Sequence, residues 1–421
     1  MNQEQIKKSV LTQGVRVITE NLPHLNSVAL GILFNHGSRD EAENEQGISH
    51  LLEHMLFKGT TKHSAKEISI FAESKGTIID GFTSKENTGI YCRFLSENFL
   101  PITDLTCEVL SLPLFAPNEL EKEKGVIFEE IKSTLEDPDD QMLNLLFAAL
   151  YEPHPMGFPV TGTFQTLTAF DSQLIRAYYE QNYTKKNAVV VGVGDIEHDL
   201  LCDKIGQLLN IGQNQIADSR RAPIAKEPML KVEHRKELTQ VFVSMAKPIF
   251  SFLDERRYAL SILNTAFGGG LSSRLFQRLR EEEGLVYTIS SFVDLFLDSG
   301  VFGVYFITDY KKLEKGIKVV LEEIKKLREQ KFTTEEFETA QNLTKSSIVL
   351  GLENPLSRMM RLAKNELLLN RVITIEETIN AYNQLNLEKV NELINIVLPD
   401  DRFFMSCVGP LQEKDLQPFF R

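Results

Sequence analysis

Positive charge is in short supply in this chain of 421 residues, where 46 Lys and Arg face 59 Asp and Glu for a formal net charge of −13. That balance argues against nonspecific nucleic-acid binding, which depends on neutralising phosphates, and makes basic or neutral partners easier to accept. Cysteine is scarce too. Cys92, Cys107, Cys202 and Cys407 lie far apart and form no C-x-x-C pair, so neither a cysteine-built structural zinc site nor a disulfide framework is expected, and a reducing compartment fits. No apolar run reaches the roughly 18 residues of a membrane span, and the opening MNQEQIKKSVLTQGVRVITE lacks the apolar stretch of a secretion signal. The expectation is a cytoplasmic protein without a membrane or nucleic-acid partner. A dinucleotide fingerprint is missing as well: GVG at Gly192–Gly194 has Glu197 where a third glycine would stand, so it reads as a strand end.

What is present is an ordinary globular composition, 42% hydrophobic and 25% charged. The length exceeds what one hydrophobic core usually supports, so two or more domains are expected. Two prolines and mixed charges in IADSRRAPIAKEP, from Ile216, interrupt the periodic segments on either side. The expected division is 1–216, a linker at 217–228, and 229–421. The halves resemble each other: FAPNELEKEKGVIFEEIKSTLEDP from Phe115 aligns without a gap on FTTEEFETAQNLTKSSIVLGLENP from Phe332, an offset of 217 residues. AVVVGVGDI from Ala188 recurs as RFFMSCVGP from Arg402 at nearly that spacing. Each half reads as Val-, Ile- and Phe-rich strands interleaved with amphipathic helices: VRVITE, VALGILFNH and TGIYCRFL in the first, VFVSMAK, VYTISSFVDLF and GVFGVYFIT in the second. The fold class this predicts is α+β, two homologous repeats, each a mixed sheet with helices packed on one face.

Histidine, only eight residues in all, clusters in HLLEHMLFKGT. Ile48, Leu51, Leu52, Met55 and Leu56 follow the spacing of a core-facing helix. At about 100° per residue, His50, Glu53 and His54 fall on the opposite face, with the imidazoles one turn apart. H-x-x-E-H is a zinc-hydrolase pattern in which two imidazoles and a third protein ligand hold the metal, water takes the open position, and the glutamate acts as general base. A solvated polar face is the competing reading, because five-residue patterns recur by chance. A third ligand is expected elsewhere. The helix from about Asn118 to Leu135 carries Leu120, Ile127, Phe128, Ile131 and Leu135 on its apolar side, with Glu130 and Glu123 on the border and Glu129 pointing away. Glu130 is the better candidate ligand and Glu123 a carboxylate beside it, against the alternative of a charged surface helix. The second half has Ser347 and Ala340 at these positions, and LSILNTAFGGG from Leu260 replaces the histidine helix, so only the first half could bind zinc.

Taken together, GSRDE at Gly37, GISHLLEHMLFKGT at Gly47, FTSKENT at Phe82, EKEKGVIFEEI at Glu121, HPMGFPVTGT at His154 and GGGLSSRLFQRLREEEGLVYTISS at Gly268 resemble the inverzincin peptidases of the pitrilysin type, which include insulin-degrading enzyme and the mitochondrial processing peptidase. The resemblance covers nearly the whole chain, and its length is similar to that of the short subfamily, in which two repeats form half of a clamshell and two chains face each other. It implies His50, His54 and Glu130 as ligands of one Zn2+ per chain, Glu53 as general base and Glu123 as the acid supporting the metal site. It also implies Arg280 and Tyr287 as substrate contacts, the arginine holding a carbonyl and the tyrosine hydroxyl stabilising an oxyanion. The 75 residues between His54 and Glu130 agree with the family's spacing. Peptide substrates are implied as partners, and a homodimer, or a heterodimer with a related chain. The strand IIDGFTSKENT would take the substrate backbone by β-augmentation, yet it has Asp80-Gly81 where the family commonly has Asn-Ala. Gly268–Gly270 reads as a flexible loop or as a helix C-cap. The rivals are a non-catalytic scaffold of the same fold and an amidase acting on a small molecule.

Overall fold

The structure, a computed structural model, describes residues 6–213, 220, 222–224 and 226–419. Runs rich in Val, Ile and Phe become strands because such side chains pack well on a pleated, half-buried surface. Six of them, β1 (Ile6–Val10), β2 (Arg16–Asn21), β3 (Ser27–Phe34), β4 (Ile79–Thr83), β5 (Thr88–Leu95) and β6 (Ala188–Gly194), join in the order β1-β2-β6-β3-β5-β4. Only the β2–β6 pairing is parallel. A second sheet of β7 (Leu230–His234), β8 (Gln240–Ile249), β9 (Val286–Leu295), β10 (Gly300–Asp309) and β11 (Phe404–Gly409) runs β7-β11-β8-β10-β9, with only β7–β11 parallel. The two orders match strand for strand once β1 is set aside. The α+β fold of two repeats is therefore as the sequence predicts, and the GVG glycines end β6. The edge strands β1 and β7 are not singled out by the sequence, because IKKSV and LKVEH carry few apolar residues and bury little.

Six helices bear on the site: α1 (Ile48–Leu56), α2 (Pro117–Glu136), α3 (Pro138–Tyr151), α4 (Arg257–Phe267), α5 (Thr334–Gly351) and α6 (Pro355–Leu369). The pairs α2/α3 and α5/α6 are the segments related by the 217-residue offset. Their second members start alike. The Asp137 carboxylate accepts from the Asp139 and Asp140 N–H groups at 2.8 and 3.2 Å, and the Asn354 amide oxygen accepts from Leu356 N–H at 2.9 Å. Proline fills the first helical position in both, where no donor is needed.

The compact units are not the contiguous halves of the chain. One gathers residues up to Ile131, Pro159–Arg220 and Gly351–Thr374; the other takes Lys132–Phe158, the described residues from 222 to 350, and Ile375 onward. Relative to the halves, each unit exchanges one helix. In the first unit, α6 lies on the sheet face formed by Ile18, Ala29, Leu33, Val189 and Val191, burying Met359, Leu362 and Ala363 against it. Three ion pairs fix it there: Arg358 Nη1 donates to Glu20 Oε1 at 2.6 Å, and the fully buried Glu366 carboxylate meets Lys8 Nζ at 2.7 Å and Arg16 Nη1 at 3.4 Å. In the second unit, Leu146, Ala149 and Leu150 of α3 pack on Ala246, Val301 and Phe404. The expected linker at 217–228 falls partly outside the described residues (217–219, 221 and 225), and its described remainder joins no helix or strand.

The opposite face of the first sheet carries the main core, where Leu30 and Ile32 meet Leu51, Leu52 and Met55 of α1 and Ile127 of α2. In the second unit α4 occupies the place of α1, with Leu260, Leu263 and Phe267 buried against Val243 and Met245, and Gly268 is its C-cap residue. Among the described residues no helix is long and apolar enough to cross a membrane.

Candidate metal centre

The N-terminus of α1 is held from below. Gly47 adopts the left-handed conformation, φ +88°, and a Cβ there would fall 2.6 Å from Thr161 O, so the close approach of the Thr161–Gly162 backbone requires glycine. The buried Glu41 carboxylate, last residue of GSRDE, accepts from Gly47 N–H at 2.8 Å and Ser49 N–H at 2.9 Å. Acceptors are favoured at this helix end, where donors lack intrahelical partners. Burial nevertheless pushes the Glu41 pKa up to about 8. The Ser49 hydroxyl reaches Tyr178 Oη at 2.9 Å, and Tyr178 reaches His36 Nε2 at 2.7 Å.

The face of α1 turned away from its own apolar stripe is not solvated. His50 is only 9% exposed, and Glu53 and His54 are half-buried. They lie against α2, whose Glu130 stands 3.6 Å from His50 Nε2 and 3.9 Å from His54 Nε2. One donor atom from each of His50, His54 and Glu130 lies within 4.8 Å of the others, the one such cluster of three among the described residues. Ligands about 2.0–2.2 Å from a tetrahedral zinc stand roughly 3.3–3.6 Å apart, so the donor set fits the ion with a small contraction. Burial, then the neighbouring His54, pushes the His50 pKa down to about 4, which keeps the imidazole in the neutral form that a metal needs. His50 Nδ1 is buried with no hydrogen-bond partner.

Glu123, one of the most buried carboxylates at 5% exposure, accepts from His54 Nδ1 at 3.1 Å and pairs with Lys58 Nζ at 2.8 Å. Because a carboxylate only accepts, His54 donates from Nδ1, and its Nε2 faces Glu130. Glu53 leans the other way, toward β4, where Thr83 Oγ1 donates to its Oε2 at 2.6 Å. Burial raises the Glu53 pKa above the usual carboxylate range, opposed by the Thr83 hydrogen bond. The structure thus brings together five of the seven residues the sequence singles out: His50, Glu53, His54, Glu123 and Glu130. One face assignment differs, since Leu135, expected on the apolar side of α2, is 43% exposed. Lys58 and Thr83 were not identified from sequence. Their signals are an i, i+4 spacing from His54 and membership of FTSKENT.

Arg280 and Tyr287 belong to the second unit. Arg280 lies on a short π-helical segment, Phe276–Glu282, and its guanidinium stacks over the Tyr287 ring at 5.5 Å. Tyr287, 73% exposed, sits on β9, the edge strand that corresponds to β4. Among the described residues β4 itself pairs only with β5. Asp80 is exposed, its carboxylate accepting from Tyr91 Oη at 3.1 Å and Gly81 N–H at 2.9 Å.

Two α+β repeats, the first bearing an inverted H-x-x-E-H helix beside a glutamate of a second helix, define the inverzincin class. The family comparisons agree: residues 16–163 match the model for insulinase (peptidase family M16), and 169–344 that for the peptidase M16 inactive domain. The chain is similar to the uncharacterized zinc protease YmxG of Bacillus subtilis, 35% identical over 96% of this chain and 98% of that protein. Its fold is similar to that of the peptidase M16 inactive domain from Pseudomonas fluorescens, with a TM-score of 0.90 and 20% identity over 97% of this chain and 98% of that one. It is also similar to a chain of complex III2 from Candida albicans, with a TM-score of 0.84 and 19% identity over 98% and 99%. The chain belongs to peptidase family M16.

Proposed function

We propose that this chain is a zinc-dependent endopeptidase that cleaves unfolded peptides inside a closed chamber. The observation that carries the reading is the convergence of His50 Nε2, His54 Nε2 and Glu130, with Glu53 on the same helix face. His50, His54 and Glu130 would hold one zinc ion. When bound, zinc supplies a Lewis acid and lowers the pKa of its water to about 7. Glu53 takes up a proton during attack on the scissile carbonyl and returns it to the leaving amine nitrogen. Glu123 keeps the His54 ring from turning, and Lys58 pairs with Glu123 from its other oxygen. The free side of β4 accepts the substrate backbone as an added strand, and the exposed Asp80 beside it favours basic side chains. Arg280 and Tyr287 hold the substrate carbonyl and the developing oxyanion. Zinc residues and the Arg/Tyr pair on one chain favour a homodimer, in the cytoplasm.

The rival is a non-catalytic scaffold, to which the likeness to a complex III2 chain lends support at the level of fold alone. The complete donor set favours the enzyme. The deciding experiment is cleavage of a mixed peptide library, read by mass spectrometry, by wild type, chelator-treated wild type and Glu53→Gln. Chelator-sensitive cleavage that falls by about 100- to 10,000-fold in the mutant, the usual contribution of a general base, supports the peptidase. Wild type that carries a full metal complement yet cleaves nothing refutes it.

A further inference from the structure

Glu53 lies against the edge strand beside two residues, Gly81 and Thr83. Thr83 Oγ1 donates to Glu53 Oε2 at 2.6 Å. A Cβ built on Gly81 would fall 2.6 Å from Glu53 Cγ, 2.8 Å from Oε1 and 3.0 Å from Cδ, and these are its three nearest neighbours. Gly81 and Thr83 are two residues apart on β4, so both address the same face of the strand. Asp80, between Ile79 and Gly81, addresses the other face, where it meets Tyr91.

We propose that Thr83 forms a seat that positions the Glu53 carboxylate, its hydroxyl fixing one of the two oxygens against β4. A glutamate side chain has three rotatable bonds, and an unheld carboxylate on a half-buried helix face spreads over several rotamers. The Thr83 hydrogen bond selects one of them. It occupies Oε2 and leaves the lone pairs of Oε1 for the proton. The seat also ties two requirements to one element. If β4 takes the substrate backbone, the same five-residue strand fixes both the substrate register and the base, and their separation does not depend on a loop.

The kinetic consequence rests on the peptidase reading; the placement of Glu53 does not, and the test separates them. Crystal structures of Thr83→Val and Thr83→Ser are compared with wild type, together with metal content, kcat and KM on a peptide that wild type cleaves. The expected result is a Glu53 carboxylate displaced by about 1 Å or more in Thr83→Val, full metal content, KM within about twofold, and kcat reduced by roughly 10- to 100-fold. Thr83→Ser, which keeps the hydroxyl, should restore both the position and most of the rate. A Glu53 carboxylate that keeps its wild-type position in Thr83→Val overturns the seat, whether or not the protein cleaves peptides. So does an unchanged kcat in Thr83→Val when wild type is active. Metal-replete wild type without peptidase activity refutes the function instead, and the crystallographic comparison still decides the seat.

Discussion

Zinc affinity should depend on Glu123 although that residue is not among the three donors. Its carboxylate joins two donors, His54 Nδ1 at 3.1 Å and Lys58 Nζ at 2.8 Å, and almost none of it is exposed. Glu123→Ala removes the acceptor that fixes the His54 ring and leaves the Lys58 ammonium without its counter-charge next to the metal. Both effects oppose cation binding. Removing such a supporting partner costs about 10- to 100-fold in metal affinity, or about 1.4–2.7 kcal/mol at 1.36 kcal/mol per decade. Alanine should lie near the upper end. Glu123→Gln keeps one oxygen for two donors and turns an amide donor toward the other, so it should lie near the lower end, and adding Lys58→Met should recover part of its loss. The assay is competition for zinc against a chromophoric chelator at fixed pH, with circular dichroism to establish that each variant is folded. A Glu123→Ala protein that folds and binds zinc within twofold of wild type would sink the argument that Glu123 orients His54.

Stability should fall as the solution is acidified, and His36 supplies a defined part of the loss. Burial pushes its pKa down from 6.5 to about 4, so above pH 6.5 the ring is neutral in both states, while between pH 6.5 and 4 the unfolded chain takes up a proton that the folded one refuses. The contribution lost over that window is roughly 3 kcal/mol, and His36→Gln should flatten the pH dependence of the urea midpoint. Arg358→Met should destabilise the first unit by about 3–5 kcal/mol, because Glu20 is left buried without its cation; combining it with Glu20→Gln should restore much of the loss. Thermal unfolding of the single and double variants checks this, and additive losses would refute the coupling.

The local parts of this site are legible because they obey helix periodicity. Ile48, Leu51, Leu52, Met55 and Leu56 define one face of α1, which leaves His50, Glu53 and His54 on the other, and the structure keeps that division. Periodicity could not say whether the second face meets water or protein. That depended on α2 lying across it, a contact between residues more than 60 positions apart. The same limit explains the helix exchange. The 217-residue repeat predicts that α3 and α6 are equivalents, and each is amphipathic enough to cover a sheet, but nothing local states which sheet. The choice for α6 is written in charges: Glu20, Lys8 and Arg16 stand on β1 and β2, and Arg358 and Glu366 answer them at 2.6, 2.7 and 3.4 Å. Read singly, Glu20, Arg358 and Glu366 are charges that argue against burial where they stand. Read as pairs they argue for one particular docking, because an α6 placed on any other surface would bury Glu366 and Arg358 without partners. The residues that most resist interpretation in isolation, a glutamate in a leucine-rich helix and an arginine one position before Met359, are therefore the ones that specify how the first unit is completed.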